Sequence, residues 1–225
     1  MKRMMIVPLG LLLLASCALA SPLCGSGTLA AFEANYTSLG TACLIGDKLF
    51  YNFNMVANDG SIVPDSTDIN LAGDTRYPIT NPGLKISSGE FFLFAGNTLD
   101  VTITYNVATA SGSPLLEDYS LVMAGGNGGL SRYTGFGTVT ESFSNIGPLQ
   151  VSLGPGSASN VGAHVAFNPY IVGTSVTTHL VASAGNNHMD ISYIQENFSE
   201  IPEPYAAVLI GSGLVLLGLR RKRVA

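Results

Sequence analysis

Val101-Thr102-Ile103-Thr104-Tyr105-Asn106-Val107 alternates apolar and polar side chains without a break. A period of two puts every second side chain on one face of an extended chain, so such a segment buries its apolar set as a half-exposed β-strand. Comparable runs lie at 49–55, 90–94, 119–123, 138–143, 149–153, 162–167, 175–182 and 189–194. Turn-forming clusters separate them: Asn58-Asp59-Gly60, Asn81-Pro82-Gly83, Ser111-Gly112-Ser113-Pro114, Gly125-Gly126-Asn127-Gly128-Gly129, Gly154-Pro155-Gly156 and Gly185-Asn186-Asn187. Roughly eight to ten short strands at that spacing predict an all-β domain, an antiparallel β-sandwich of jelly-roll type. One helix is expected from Thr28 to Leu39, where Leu29, Phe32, Tyr36 and Leu39 form an apolar stripe for packing on the core.

These strands occupy residues 21–200, one domain with a sizeable core. Both flanks have a different character. Lys2 and Arg3 precede the apolar run from Met4 to Leu14, and Ala18-Leu19-Ala20 offers small residues for cleavage before Ser21. Residues 1–20 therefore read as a secretory signal peptide, handled by the Sec translocon and signal peptidase. A rival reading is open: Leu14-Ala15-Ser16-Cys17 resembles a lipobox, which would lipidate Cys17 instead of removing it. At the other end, Pro202-Glu203-Pro204 leads into the charge-free segment 205–219, read as a transmembrane helix. At about 1.5 Å per residue it reaches roughly 22 Å, short of a hydrocarbon core about 30 Å thick. Gly211, Gly213 and Gly218 weaken it further, so it suits temporary retention. Arg220, Arg221, Lys222 and Arg223 stay cytoplasmic by the positive-inside rule, which leaves residues 21–204 outside the membrane.

Pro202-Glu203-Pro204, the glycine-bearing apolar segment and the terminal basic cluster together resemble the PEP-CTERM sorting signal of Gram-negative bacteria, here spanning 201–225. The resemblance implies an exported protein, anchored in the inner membrane before an exosortase-like protease processes it near the Pro-Glu-Pro motif. Its destination would be the cell surface or the extracellular space, in association with exopolysaccharide and biofilm. The domain itself is similar to sequences often joined to this tail. The shared pattern is Leu29–Gly40 followed by Cys43-Leu44-Ile45-Gly46-Asp47-Lys48-Leu49-Phe50-Tyr51-Asn52-Phe53. That second resemblance implies a shared β fold and cysteine pairing, and no activity.

Removal of Cys17 would leave Cys24 and Cys43, which can pair in an oxidising compartment. Closing a loop of about 20 residues contributes about 3 kcal/mol in the chain-entropy model. Charge narrows the partners. Four cations (Lys48, Arg76, Lys85, Arg132) against fifteen acids leave residues 21–204 at −11, which excludes nucleic acid binding by counter-ion release.

Catalytic motifs are missing. There is no Gly-x-Ser-x-Gly elbow, no phosphate-binding loop and no zinc-ligand spacing around His164, His179 or His188. A hydrolase reading would have to bring Glu141 and Glu90 into one groove. Asp59, Asp65 and Asp68, in an acidic stretch running to Asp74, carry the oxygen ligands that suit calcium but not the spacing of an EF-hand. The main expectation is a non-catalytic surface or matrix protein that needs no cofactor. The alternative is a secreted carbohydrate-binding module with calcium as a candidate ligand. Since the chain has no tryptophan, Tyr and Phe would have to supply its stacking platform.

Overall fold

The computed structural model describes residues 21–74, 81–111, 113–125, 135–144, 146–155 and 160–200. The expected signal peptide, the Pro-Glu-Pro motif, the 205–219 segment expected to span the membrane, the basic tail and most of the 125–129 glycine cluster lie outside these residues. Among the described residues no helix is long and apolar enough to cross a membrane.

Thirteen strands are described: β1 (Gly27–Thr28), β2 (Cys43–Ile45), β3 (Lys48–Ala57), β4 (Ile69–Asp74), β5 (Gly83–Ser88), β6 (Phe92–Leu93), β7 (Thr98–Thr109), β8 (Leu116–Gly125), β9 (Phe136–Phe143), β10 (Leu149–Leu153), β11 (Asn160–Ile171), β12 (Gly173–Ser183) and β13 (Met189–Glu200). They form two antiparallel sheets. The first runs β1-β4-β5-β13-β8-β11, with β6 also paired to β13; the second runs β10-β9-β12-β7-β3-β2.

Eight of these strands are paired in nested fashion. β5 pairs with β13, β7 with β12, β8 with β11 and β9 with β10, the first with the last and so inward. Rolling that long ribbon up adds the β13–β8 and β12–β9 contacts and yields a jelly roll. The N-terminal strands β1–β4 then widen both sheets.

Alternation sets the core. On β7, Leu99, Val101, Ile103, Tyr105 and Val107 are buried while the residues between them are partly exposed. Rings from both sheets meet between the layers: Phe53 stacks on Tyr105 at 5.7 Å, and Tyr119 lies 4.9 Å from Phe198 and 4.8 Å from Phe143. Cys24 and Cys43 are joined by a disulfide, with Cα atoms 4.9 Å apart.

The structure corrects several local expectations. The helix is shorter than the stripe suggests: α1 covers Leu29–Asn35, capped by Thr28 Oγ1, which accepts from the Ala31 N–H at 3.3 Å. Weak helix formers follow at Asn35-Tyr36-Thr37, and Ser38 begins a separate 3-10 turn over Leu39–Thr41. Leu39 is thereby left outside the core, 52% exposed. The expected strand at 90–94 begins inside a 3-10 turn, Gly89–Phe91, and only two residues of it form strand, β6. The acidic stretch to Asp74 is not one loop, because Ile69–Asp74 is strand β4, paired along its length with β5. Finally, the strand expected at 189–194 runs on to Glu200 as β13, inside the first sheet.

Candidate functional site

Strand parity brings acids into the core. On β9, Val139, Glu141 and Phe143 face inward; on β13, Ile194, Glu196 and Phe198 do. Glu141 and Glu196 are both fully buried, one from each sheet. Thr178 Oγ1 lies 3.0 Å from Glu141 Oε2 and 2.9 Å from Glu196 Oε1, and Tyr105 donates a hydrogen bond to Glu196 Oε2.

A hydroxyl has one hydrogen, so Thr178 can donate to only one of the two carboxyls. The other must contribute its own proton. Burial, followed by the charge of Glu196 and the hydrogen bond to it, pushes Glu141 well above the usual carboxylate range. Burial also raises Glu196, against the hydrogen bonds from Tyr105, Glu141 and Thr178. Burial and the two nearby carboxyls raise the Tyr105 and Tyr119 phenols as well. Among the described residues, Glu141 Oε1, Tyr119 Oη and Ser199 Oγ are buried without a hydrogen-bond partner. The chemistry of this cluster is sealed from any polymer outside. Glu90 lies on the exposed 3-10 turn before β6, so the Glu141–Glu90 groove required for a hydrolase does not exist.

The calcium candidates are likewise occupied elsewhere. Asp65 Oδ1 accepts the Thr67 N–H at 3.2 Å, and Asp68 Oδ2 accepts the Asp65 N–H at 3.0 Å. These carboxylates close their own turn, and Asp59 stands apart beside Asn58. No group of three or more metal-ligating side chains assembles among the described residues. Two of the three histidines face acids: His164 Nε2 is 3.1 Å from Asp118, and His179 Nε2 is 2.8 Å from Asp100.

One pole of the sandwich offers a different surface. Phe92 and Phe94 are two apart in extended chain, so both point outward while Leu93 between them is buried. Their rings meet edge to face at 5.2 Å, and the His188 ring lies 5.6 Å from Phe92 at 32°. Phe94 is 66% exposed and Phe92 40%. Two turns hold this rim in place, since Gly96 N–H donates to Gly185 O at 2.7 Å and Ala184 N–H to Asn97 O at 3.0 Å. Positive φ angles of 81° at Gly96 and 60° at Gly185 let the two turns approach. Polar groups frame the rings: Asn187 Oδ1 contacts His188 Nδ1 at 2.6 Å, and Asp190 is paired opposite Phe92. Phe136, 53% exposed, opens β9 opposite Ser183 at the same pole.

Sequence reasoning placed His188 in a turn but did not pick out the Phe92/Phe94 platform. Its signal was the spacing Phe-x-Phe beside an Asn-Asn-His turn. Elsewhere, a groove of about 440 Å³ on the second sheet is lined by Leu39, Tyr51, Asn106, Val172 and Ser175. A second of about 590 Å³ runs beside Glu33, Phe53, Asn54 and Asp65. Neither has clustered exposed rings.

No protein-family model matches the chain, and no curated protein does. Among solved structures, a carbohydrate-binding module in complex with β-1,4-galactotriose is 6% identical, over 64% of this chain and 86% of that one, with a TM-score of 0.33. A carbohydrate-binding module from Cellvibrio mixtus lichenase 5A, in complex with cellotriose, is 16% identical over 64% and 95%, with a TM-score of 0.25. An exo-β-1,3-galactanase from Phanerochaete chrysosporium is 16% identical over 50% of this chain and only 23% of its own length, with a TM-score of 0.25. These partial overlaps carry no functional argument, and the rim has to be read from its own geometry.

Proposed function

We propose that this chain is an exported, non-catalytic surface protein whose domain binds carbohydrate through the Phe92–Phe94–His188 rim. The observation that carries the reading is the rim itself: two exposed phenylalanine rings and an imidazole, held by stitched turns and framed by Asn and Asp side chains. Exposed apolar surface of that kind needs a partner, and a pyranose offers apolar C–H faces rimmed by hydroxyls. The Asn187 and Asp190 side chains supply polar groups for orientation.

Polarity of the fold supports an outward role. β13 begins beside the rim at Met189 and ends at Glu200, eleven residues later. At about 3.3 Å per residue the chain leaves the domain about 36 Å from the aromatic pole. With 201–225 acting as a PEP-CTERM sorting signal, the rim faces away from the inner membrane during anchoring. It stays free once an exosortase-like protease has cut near Pro202–Pro204. The Cys24–Cys43 disulfide suits an oxidising compartment, and the net charge of −11 over residues 21–204 suits solubility there.

Two measurements test the two halves. Mass spectrometry of the protein from its native host should find Ser21 first and a C-terminus near Pro202–Pro204; intact Arg223 in the extracellular pool would contradict sorting. A glycan array with the matured chain should show saturable binding to a surface polysaccharide. An empty array would favour an inert matrix component instead.

A further inference from the structure

At the pole opposite the rim, the two-residue turn Gly46-Asp47 joins β2 to β3, with Gly46 at a φ of +63° as the first position of such a hairpin requires. The turn delivers Lys48 into the interior, where its side chain is 0% exposed. Parity on β13 sends Glu200 inward too, two residues beyond Phe198 and four beyond Glu196. Lys48 Nζ lies 2.8 Å from Glu200 Oε1 and 3.0 Å from Asp47 Oδ1. The two carboxyls are also hydrogen-bonded to each other.

A buried lysine held by two carboxyls is an expensive way to make an ion pair, because both partners give up water. It is also the arrangement that amide formation needs: an amine against a carboxyl carbon, a base beside it and bulk water excluded. We propose that Lys48 and Glu200 condense to an intramolecular isopeptide bond, with Asp47 as the proton acceptor, and so tie the first long strand of the domain to its last.

The step balances with no outside reagent. The Asp47 carboxylate takes one proton from the Lys48 ammonium. The free amine attacks Glu200 Cδ, and the N–C bond forms. The second N–H proton passes to the departing Glu200 hydroxyl, the C–O bond breaks and one water leaves. Asp47, whose side chain is 32% exposed, then releases its proton to solvent. The two carboxyls differ in the way their parts demand. Burial, with the hydrogen bond to Asp47, pushes Glu200 up to about 7 against the pull of Lys48, so much of it is uncharged acid near neutrality. An uncharged carboxyl is an electrophile where a carboxylate is not. Burial raises Asp47 too, but its bonds to Glu200 and Lys48 and the ammonium charge outweigh this and hold it below the usual range. The hydrogen bond to Oε1 keeps Nζ close to the near-attack range of about 3–3.5 Å from the carbonyl carbon. Conversion to a neutral amide also removes the buried ammonium charge of Lys48.

The bond would link residues 152 apart in sequence and enclose the whole jelly roll. Force arriving through the C-terminal tail at Glu200 would pass directly into β3 instead of unzipping β13. The proposal is independent of carbohydrate binding at the rim.

Peptide mapping by mass spectrometry of the folded full chain tests it. A Lys48 peptide joined to a Glu200 peptide, lighter than their sum by one water, is the expected species. The Lys48→Arg variant keeps the cation for packing and should yield only separate, unmodified peptides. Separate Lys48 and Glu200 peptides in the wild-type chain would overturn the proposal. So would a water loss that maps instead to a succinimide at Asp59-Gly60.

Discussion

The interior and the aromatic pole of this sandwich divide the chemistry of the chain between them. Deep inside lies one cluster of abnormally titrating groups, Glu141, Glu196, Tyr105 and Tyr119, all without solvent access. Outside, at the pole, are rings: Phe92, Phe94 and Phe136, with His188 against Phe92. A hydrolase needs the reverse, with carboxyls in a groove and rings supporting them. Perturbed carboxyls are a common mark of function, but the Glu141–Glu196 pair is sealed inside, and on the proposed reading contact with the outside falls to the stacking surface.

Separate substitutions in the two regions should give separable losses. Glu196→Ala should cost the most, about 3 kcal/mol in chemical denaturation, because it opens a cavity and strands the Tyr105 and Thr178 hydroxyls. The folded fraction should still bind glycan normally. Phe92→Ala and Phe94→Ala should do the opposite, each weakening glycan affinity about tenfold while shifting stability by less than about 0.5 kcal/mol. Equal damage to stability and binding from either set would erase the distinction.

Acidity offers a finer test. The folded Glu141–Glu196 pair retains protons that the unfolded chain gives up near the ordinary carboxylate value of 4.5. Stability from this pair is therefore fully present below that value and declines as pH rises through the elevated folded range. Urea midpoints should be higher at pH 5 than at pH 8, and Glu141→Gln, which carries amide protons at every pH, should flatten the difference. Asp100 acts in the opposite sense. Burial raises it, but hydrogen bonds from Asn58 and His179 and the charge of the latter hold it below 3.8, so its contribution is lost only in stronger acid. The smallest effect is expected in the acidic turn. Asp65→Ala with Asp68→Ala should cost about 1 kcal/mol through lost turn hydrogen bonds, and added calcium should not raise the melting temperature of either protein.

The jelly roll was legible because its long strands alternate: β7, β9 and β12 announce themselves by period two, and the glycine-rich turns between strands are equally plain. Short or covered strands were not. Cys43–Ile45 is too brief to show a period, and β13 beyond Ile194 is buried on both faces, so its polar Gln195-Glu196-Asn197 shows no alternation. The buried acids were within reach of the pattern. Val139-Thr140-Glu141-Ser142-Phe143 puts Glu141 in phase with two apolar neighbours, which marks it as inward-facing, but only the fold could show that Glu196 arrives from the other sheet. Asn197 is packed in β13, 4% exposed, and its side-chain amide donates to Asn81 O at 3.0 Å. The rim was hidden for a topological reason: Phe92–Phe94 and His188 are far apart in the chain and meet only where β6 pairs with the start of β13.

Titration of the matured wild-type chain and of Phe92→Ala/Phe94→Ala against the best glycan from an array tests the central claim most directly. Saturable wild-type binding, reduced about a hundredfold in the double variant with its melting temperature nearly unchanged, is the predicted result. Binding that survives loss of both rings, or a wild-type chain that binds no glycan at all, would contradict it.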